Sequence, residues 1–189
     1  FTNSPGLPDP NLYTTARDIA TLARAMIREF PQYYRWYSLR EFTWNNITQP
    51  NRNGLLARDP SVDGIKTGHT ESAGYCLVTS ANRRNMRLVS VVLGSSSMKA
   101  REDASAALLN YGYTFYETVR VKAAGETILQ PRVYKGSVEA VAVAPARDVL
   151  VTLGRGSAGN LRTEATVREP LIAPLAANAV VGELVVRDG

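Results

Sequence analysis

The densest run of groups able to act on another molecule is Asp63-Gly64-Ile65-Lys66-Thr67-Gly68-His69-Thr70. An ammonium and a hydroxyl stand side by side, and the glycine that follows leaves the backbone bare. Fixed cations and hydroxyl donors are the equipment for gripping a carboxylate and for steadying charge that builds on a carbonyl oxygen. Metal chemistry has far less to work with. His69 is the single histidine and Cys76 the single cysteine, whereas a catalytic zinc draws about three protein ligands, mainly from His, Cys and carboxylates. Cys76 lies in the apolar run from Gly74 to Ala81. It admits no internal disulfide and reads as a buried structural thiol. The expectation is a metal-free, cofactor-free site.

The elements that must carry this run can be read from spacing. Residues 12–31 predict a helix, because Ile19, Leu22, Ala23, Met26, Ile27 and Phe30 recur at helical intervals behind Thr14 and Thr15, with Asp18 in the first turn and Pro31 as the stop. The aromatics from Tyr33 to Tyr37 read as core, as do Phe42 and Trp44, which alternate with polar residues as in a short strand. Past the Asn51-Arg52-Asn53-Gly54 turn come three strands, Val62 to Thr67, Gly74 to Ala81 and Met86 to Leu93, the last two joined at Asn82 to Asn85. That is an antiparallel meander. A second helix from Lys99 to Tyr111 is expected to turn Ala100, Ala104, Ala107, Leu108 and Tyr111 to one face. After Thr118 the texture shifts to short Val-rich runs, Ala140 to Val143, Val149 to Leu153 and Val180 to Val186, punctuated by Gly and Pro. This predicts a small all-β domain, with the boundary between 117 and 118.

With 189 residues and 44% hydrophobic content, the chain can bury a real core. It has no run of 18 apolar residues, and its first residues lack the charged start and apolar centre of a signal peptide, so Phe1 reads as a start other than the native one. The formal charge of +5 is spread along the chain, and among the basic residues only Arg83 and Arg84 adjoin. Nucleic-acid binding is therefore not expected, while attraction to anionic substrates remains open.

Lys66-Thr67-Gly68 alone is weak, since about one chain in twenty of this length would contain such a tripeptide by chance. Its surroundings add weight. In order along the chain, Phe1 with Gly6-Leu7, Thr15 to Asp18, Glu41 to Thr43, Asn51 to Leu56, Val62 to Thr70, Ala73 to Tyr75, Lys99 to Glu102 and Phe115 to Val119 all resemble the low-molecular-mass penicillin-binding proteins, the serine D-alanyl-D-alanine carboxypeptidases. The resemblance implies an α+β fold: part of a β-lactamase/transpeptidase-like domain over residues 1–117, with an antiparallel sheet and helices, then a small β-rich domain over 118–189. It implies a hydrolase that acts on peptidoglycan stem pentapeptides through an acyl-enzyme and is acylated by β-lactams. Lys66, Thr67, Gly68 and His69 would line one wall of the cleft, with the His69 backbone N–H as an oxyanion donor. Arg101 and Arg52 would contact the substrate carboxylate and peptide. Members of the family are exported and held at the outer face of the cytoplasmic membrane by a terminal amphipathic helix, so a periplasmic place and a peripheral membrane contact through a segment outside these residues are expected.

The family's Ser-x-x-Lys nucleophile and Ser-x-Asn precede Lys-Thr-Gly, and here neither occurs before Lys66. Ser96-Ser97-Met98-Lys99 and Ser80-Ala81-Asn82 come after it, out of order. The nucleophile is thus expected upstream of Phe1, on a segment that would be a partner of this one, and the 189 residues alone are expected to be inert. Two other readings stay open: a D,D-endopeptidase of the same fold, and a non-catalytic cell-wall binding module.

Overall fold

The computed structural model describes residues 2–3 and 9–189. They divide between Thr114 and Phe115 into two compact units. In the first, α1 (Ala16–Glu29) begins with a reciprocal cap: the Thr15 hydroxyl accepts the Asp18 N–H at 3.1 Å while the Asp18 carboxylate accepts the Thr15 N–H at 3.2 Å. The helix is shorter than its periodicity suggested, and Pro31 opens a further single turn, α2 (Pro31–Tyr34), where its missing N–H costs nothing. A 3-10 turn over Arg35–Ser38 follows. Then β1 (Glu41–Trp44) pairs with β2 (Ile47–Pro50) across Asn45 and Asn46, both at positive φ, as a two-residue hairpin demands. The aromatic cluster is not core as expected. Tyr34 alone among residues 33–37 is buried, while Trp36 and Trp44 are 57% and 75% exposed.

After the short helix α3 (Leu55–Arg58), strands β3 (Val62–Thr70), β4 (Gly74–Arg83) and β5 (Met86–Ser95) form the expected meander in the order β3-β4-β5. The second hairpin turns at Arg84 and Asn85, again at positive φ, so Asn82 stays in the ladder opposite Arg87 rather than in the turn. Helix α4 (Met98–Phe115) closes the unit. One cluster joins Leu55, Leu56, Val62, Leu77, Ala81 and Leu109; the other joins Ala23, Tyr34 and Ile65, with Ile27 and Val78 packed on it. Leu77 and Val78 are consecutive in β4 yet enter different clusters, so α1 and α4 cover opposite faces of the sheet. Side chains as fully buried as Leu55, Leu77 and Leu109 each stabilise the fold by about 2 kcal/mol.

The face of α4 departs from expectation. Arg101, Ser105 and Leu109 point inward, and Leu108 and Tyr111 are exposed, one residue out of phase with the apolar stripe. The inward row is polar because Arg101 is needed by the strands beneath it, as the site geometry makes plain. Among the described residues no helix is long and apolar enough to cross a membrane.

The second unit is all β apart from a 3-10 turn at Ala158–Asn160. Its strands are β6 (Tyr116–Lys122), β7 (Val133–Tyr134), β8 (Val149–Gly154), β9 (Leu161–Val167), β10 (Leu171–Ile172) and β11 (Gly182–Asp188). β6 pairs with β8 and β9 with β11, both antiparallel, while β7 and β10 are parallel. The expected strand from Ala140 to Val143 reduces to isolated bridges, Arg132 to Ala140 and Leu129 to Val143. β9 was missed because its alternation is Leu161, Thr163, Ala165, Val167, too polar to stand out.

Candidate active site

A groove of about 870 Å³ in the first unit is lined by Arg52, Lys66, Thr67, Gly68, His69 and Arg101 together. The six residues singled out from sequence therefore meet in one place, although Arg52 and Arg101 belong to different elements from the strand. Lys66 is exposed, and its Nζ donates to the Thr67 carbonyl at 2.5 Å. The His69 ring stacks on Tyr75, its partner in β4, at 4.0 Å between centroids. A Cβ built on Gly68 would meet nothing nearer than Cys76 Cβ at 3.8 Å, so the fold itself does not require glycine there. Cys76 is half-buried on the groove wall rather than sealed in the core, with its Sγ 3.5 Å from the Ala73 carbonyl.

Arg101 is 2% exposed. Its Nη1 donates to the carbonyls of Gly68 at 3.2 Å and Cys76 at 3.3 Å, and its Nη2 to that of Arg52 at 3.3 Å. One guanidinium thus ties β3, β4 and the loop before α3 to one another. Its Nε has no partner among the described residues, and a guanidinium has five N–H groups to give. Arg101 is no solvated arginine at a helix start, and Arg52 is held by its own carbonyl while its side chain stays exposed.

The loop and the strand are fixed by groups to which sequence reasoning assigned no role. Asn53, 2% exposed, donates from Nδ2 to the Gly64 carbonyl at 3.0 Å and accepts the Leu55 N–H at 3.2 Å. Glu102 accepts the Gly54 N–H at 3.1 Å. Asp63 sits at an irregularity between Val62 and Gly64 in the β3–β4 register and takes hydrogen bonds from Tyr34 Oη at 2.7 Å and Arg87 Nη1 at 2.9 Å. Burial, reinforced by Asp63, pushes the Tyr34 hydroxyl far above the usual tyrosine range, so it stays a donor. Asn53 lay inside a matching segment, but no short-range signal links Tyr34 to Asp63 or Arg87.

In the two look-alike motifs, Met98 lines the groove, but the serines and the lysine lie elsewhere. Ser97 caps α4, its Oγ accepting the Ala100 N–H at 3.0 Å. Lys99 is ion-paired with Asp103 on the outside of the helix. Ser80 is fully buried and accepts Arg87 Nη1 at 2.6 Å. None of these lines the groove.

A model of the D-alanyl-D-alanine carboxypeptidase family matches residues 1–97, and one of the penicillin-binding protein 5 C-terminal domain matches residues 116–189. The chain is 42% identical over 188 residues to the D-alanyl-D-alanine carboxypeptidase DacA of Haemophilus influenzae, covering 98% of this chain and 48% of that protein. It is 41% identical over 181 residues to DacA of Escherichia coli, covering 95% and 45%. The structure of penicillin-binding protein 5 from Haemophilus influenzae superposes with a TM-score of 0.79 at 43% identity, over 99% of this chain and 55% of that one. The chain spans about half the length of the curated relatives it matches.

Proposed function

Because the chain belongs to the D-alanyl-D-alanine carboxypeptidase family, we propose that it forms the substrate-holding wall of a serine hydrolase that removes the terminal D-alanine from peptidoglycan stem pentapeptides and is acylated by penicillins. The observation that carries this reading is Gly68: a bare position that the fold does not need, on an edge strand, between a cation and an oxyanion donor. The outer edge of β3 is free of other strands among the described residues, so an extended peptide can add to it by main-chain hydrogen bonds.

In the reaction, Lys66 and Thr67 hold the substrate, with Arg52 and Arg101 beside its carboxylate. The His69 main-chain N–H donates to the oxyanion, a contribution of about 2.7 to 4 kcal/mol in comparable sites. A serine outside the 189 residues attacks the carbonyl, D-alanine leaves, and water releases the acyl group. The substrate lies outside the cytoplasmic membrane, so the enzyme works as an exported protein at that membrane's outer face, in maintenance of cell-wall shape.

Labelled penicillin tests the reading on the full-length protein. Covalent uptake is expected, slowed at least about 100-fold in Lys66→Ala. Gly68→Ala should slow it while leaving the melting temperature unchanged. Absence of any covalent label in the wild type sinks the proposal, and a Lys66→Ala rate equal to wild type removes the site from it. Fractionation that finds the protein in the cytoplasm would overturn the assignment of place.

A further inference from the structure

We infer that Tyr34, Asp63 and Arg87 form a positioning clamp that sets where the Lys66–Thr67–Gly68 stretch lies along the groove; the inference rests on the proposed function of that stretch. Lys66 is not held by its own side chain. Among the described residues its ammonium bonds only the carbonyl of Thr67 beside it, so the position of the charge is set by the backbone that delivers it. That backbone arrives through the irregularity at Asp63, three residues earlier, where the pairing with β4 shifts between Val62 opposite Ala81 and Gly64 opposite Ser80. Such irregularities re-aim side chains, and a one-residue slip in a strand reverses the face on which every following side chain stands.

The clamp grips that point from several directions. Arg87 reaches both carboxylate oxygens of Asp63, Nη1 to Oδ1 at 2.9 Å and Nη2 to Oδ2 at 2.7 Å. Its Nη1 also donates to Ser80 Oγ at 2.6 Å, on the residue that pairs with Gly64. Tyr34 Oη completes the carboxylate's set at 2.7 Å, and the guanidinium carbon lies 5.6 Å from the centre of the Tyr34 ring. Gly64 fits because a Cβ there would stand 2.7 Å from Tyr34 Oη, and its carbonyl is taken by Asn53. Helix α2, the strand β5 and the loop before α3 thus converge on the two residues that set the phase of the wall.

The test uses the full-length protein and labelled penicillin over a range of concentrations, which separates initial binding from the acylation rate. Arg87→Met and Asp63→Asn are expected to lower the acylation rate constant about 10- to 100-fold, the effect of a small misplacement of a reacting geometry, with Arg87→Lys recovering part of the loss. Ile27→Ala, in the same apolar cluster as Tyr34 but away from Asp63, should lower the melting temperature and leave the rate alone. The clamp is refuted if folded Arg87→Met acylates at the wild-type rate, or if Ile27→Ala slows it equally. Should the wild type take up no label, the proposed function fails by itself, and amide exchange decides the clamp. Arg87→Met must then speed exchange at residues 64–69 about 10-fold more than Ile27→Ala does, and equal exchange in the two variants overturns it.

Discussion

Helices α1 and α4 lie against opposite faces of one three-stranded sheet and solve the task differently. α1 sets Ala23, Met26 and Ile27 into its cluster and seals its start with a Thr15–Asp18 cap. α4 sends Arg101 and Ser105 inward beside Leu109 and leaves Met98, Leu108 and Tyr111 in solvent. α1 packs through apolar side chains, although Leu22 and Phe30 of its predicted stripe stay exposed. α4 also serves the groove, where strand carbonyls at Gly68 and Cys76 and the loop carbonyl at Arg52 converge on the Arg101 guanidinium. A buried cation is costly unless its hydrogen bonds are met, and three main-chain acceptors meet most of them. The lesson is that a helix which organises a site can invert its polarity and remain well packed.

The comparison breaks most sharply at Arg101. Arg101→Met keeps the volume and removes three hydrogen bonds to main-chain carbonyls, with an expected loss of about 4.5 kcal/mol at roughly 1.5 kcal/mol for each bond to a charged donor. Equilibrium denaturation measures it, and a loss below about 1 kcal/mol would mean the carbonyls are satisfied without the guanidinium. Next come the two neighbouring leucines. Leu109, 1% exposed, should cost about 3 kcal/mol on conversion to Ala, and Leu108, 50% exposed, less than about 0.5 kcal/mol. The reverse order would restore the phase read from the sequence. On α1 the expected effect is smaller: Thr15→Ala removes one side of the reciprocal cap and should cost about 1 kcal/mol, seen as a lower denaturation midpoint at unchanged slope.

These contrasts also mark how far the residues themselves carry the fold and the site. The meander was legible because Val62 to Thr67, Gly74 to Ala81 and Met86 to Leu93 are apolar runs split by turn residues, local signals that need no tertiary knowledge. The groove residues were legible because Lys66 to His69 form one continuous motif and Arg52 and Arg101 sit in segments that resemble a family. The clamp was not, since Tyr34 and Asp63 are 29 residues apart and Arg87 lies 24 beyond Asp63. The exposed Trp36 and Trp44 misled for a related reason: aromatic content reports capacity to bury, while burial depends on what packs above. In the second unit, β9 was hidden by its polar alternation, and Ala140 to Val143, apolar enough for a strand, lacks a neighbour in register.

The smallest expected effect lies at the far end of α4, where charge again does the holding but near the surface. Arg83 bonds Asp59 Oδ2 at 2.6 Å and Ser61 Oγ at 3.0 Å, reaches Asn110 on α4 at 3.2 Å and lies over the Tyr113 ring. Partial burial works to raise the Asp59 carboxyl, but the Ser61 hydroxyl and N–H together with Arg83 outweigh it and hold the group below the ordinary carboxylate range. Because the folded value is depressed, the stabilisation is complete above the unfolded value of about 3.9 and is lost as pH falls toward and through the folded one. The gap in unfolding free energy between wild type and Asp59→Asn should therefore be below about 1 kcal/mol at pH 7, given a partly exposed pair, and should shrink steadily from pH 5 to pH 3. A gap that holds constant over that range would mean that Asp59 acts through shape alone. Arg101, whose guanidinium bonds neutral carbonyls instead of a carboxylate, supplies the contrast: the gap between wild type and Arg101→Met should not move over the same interval.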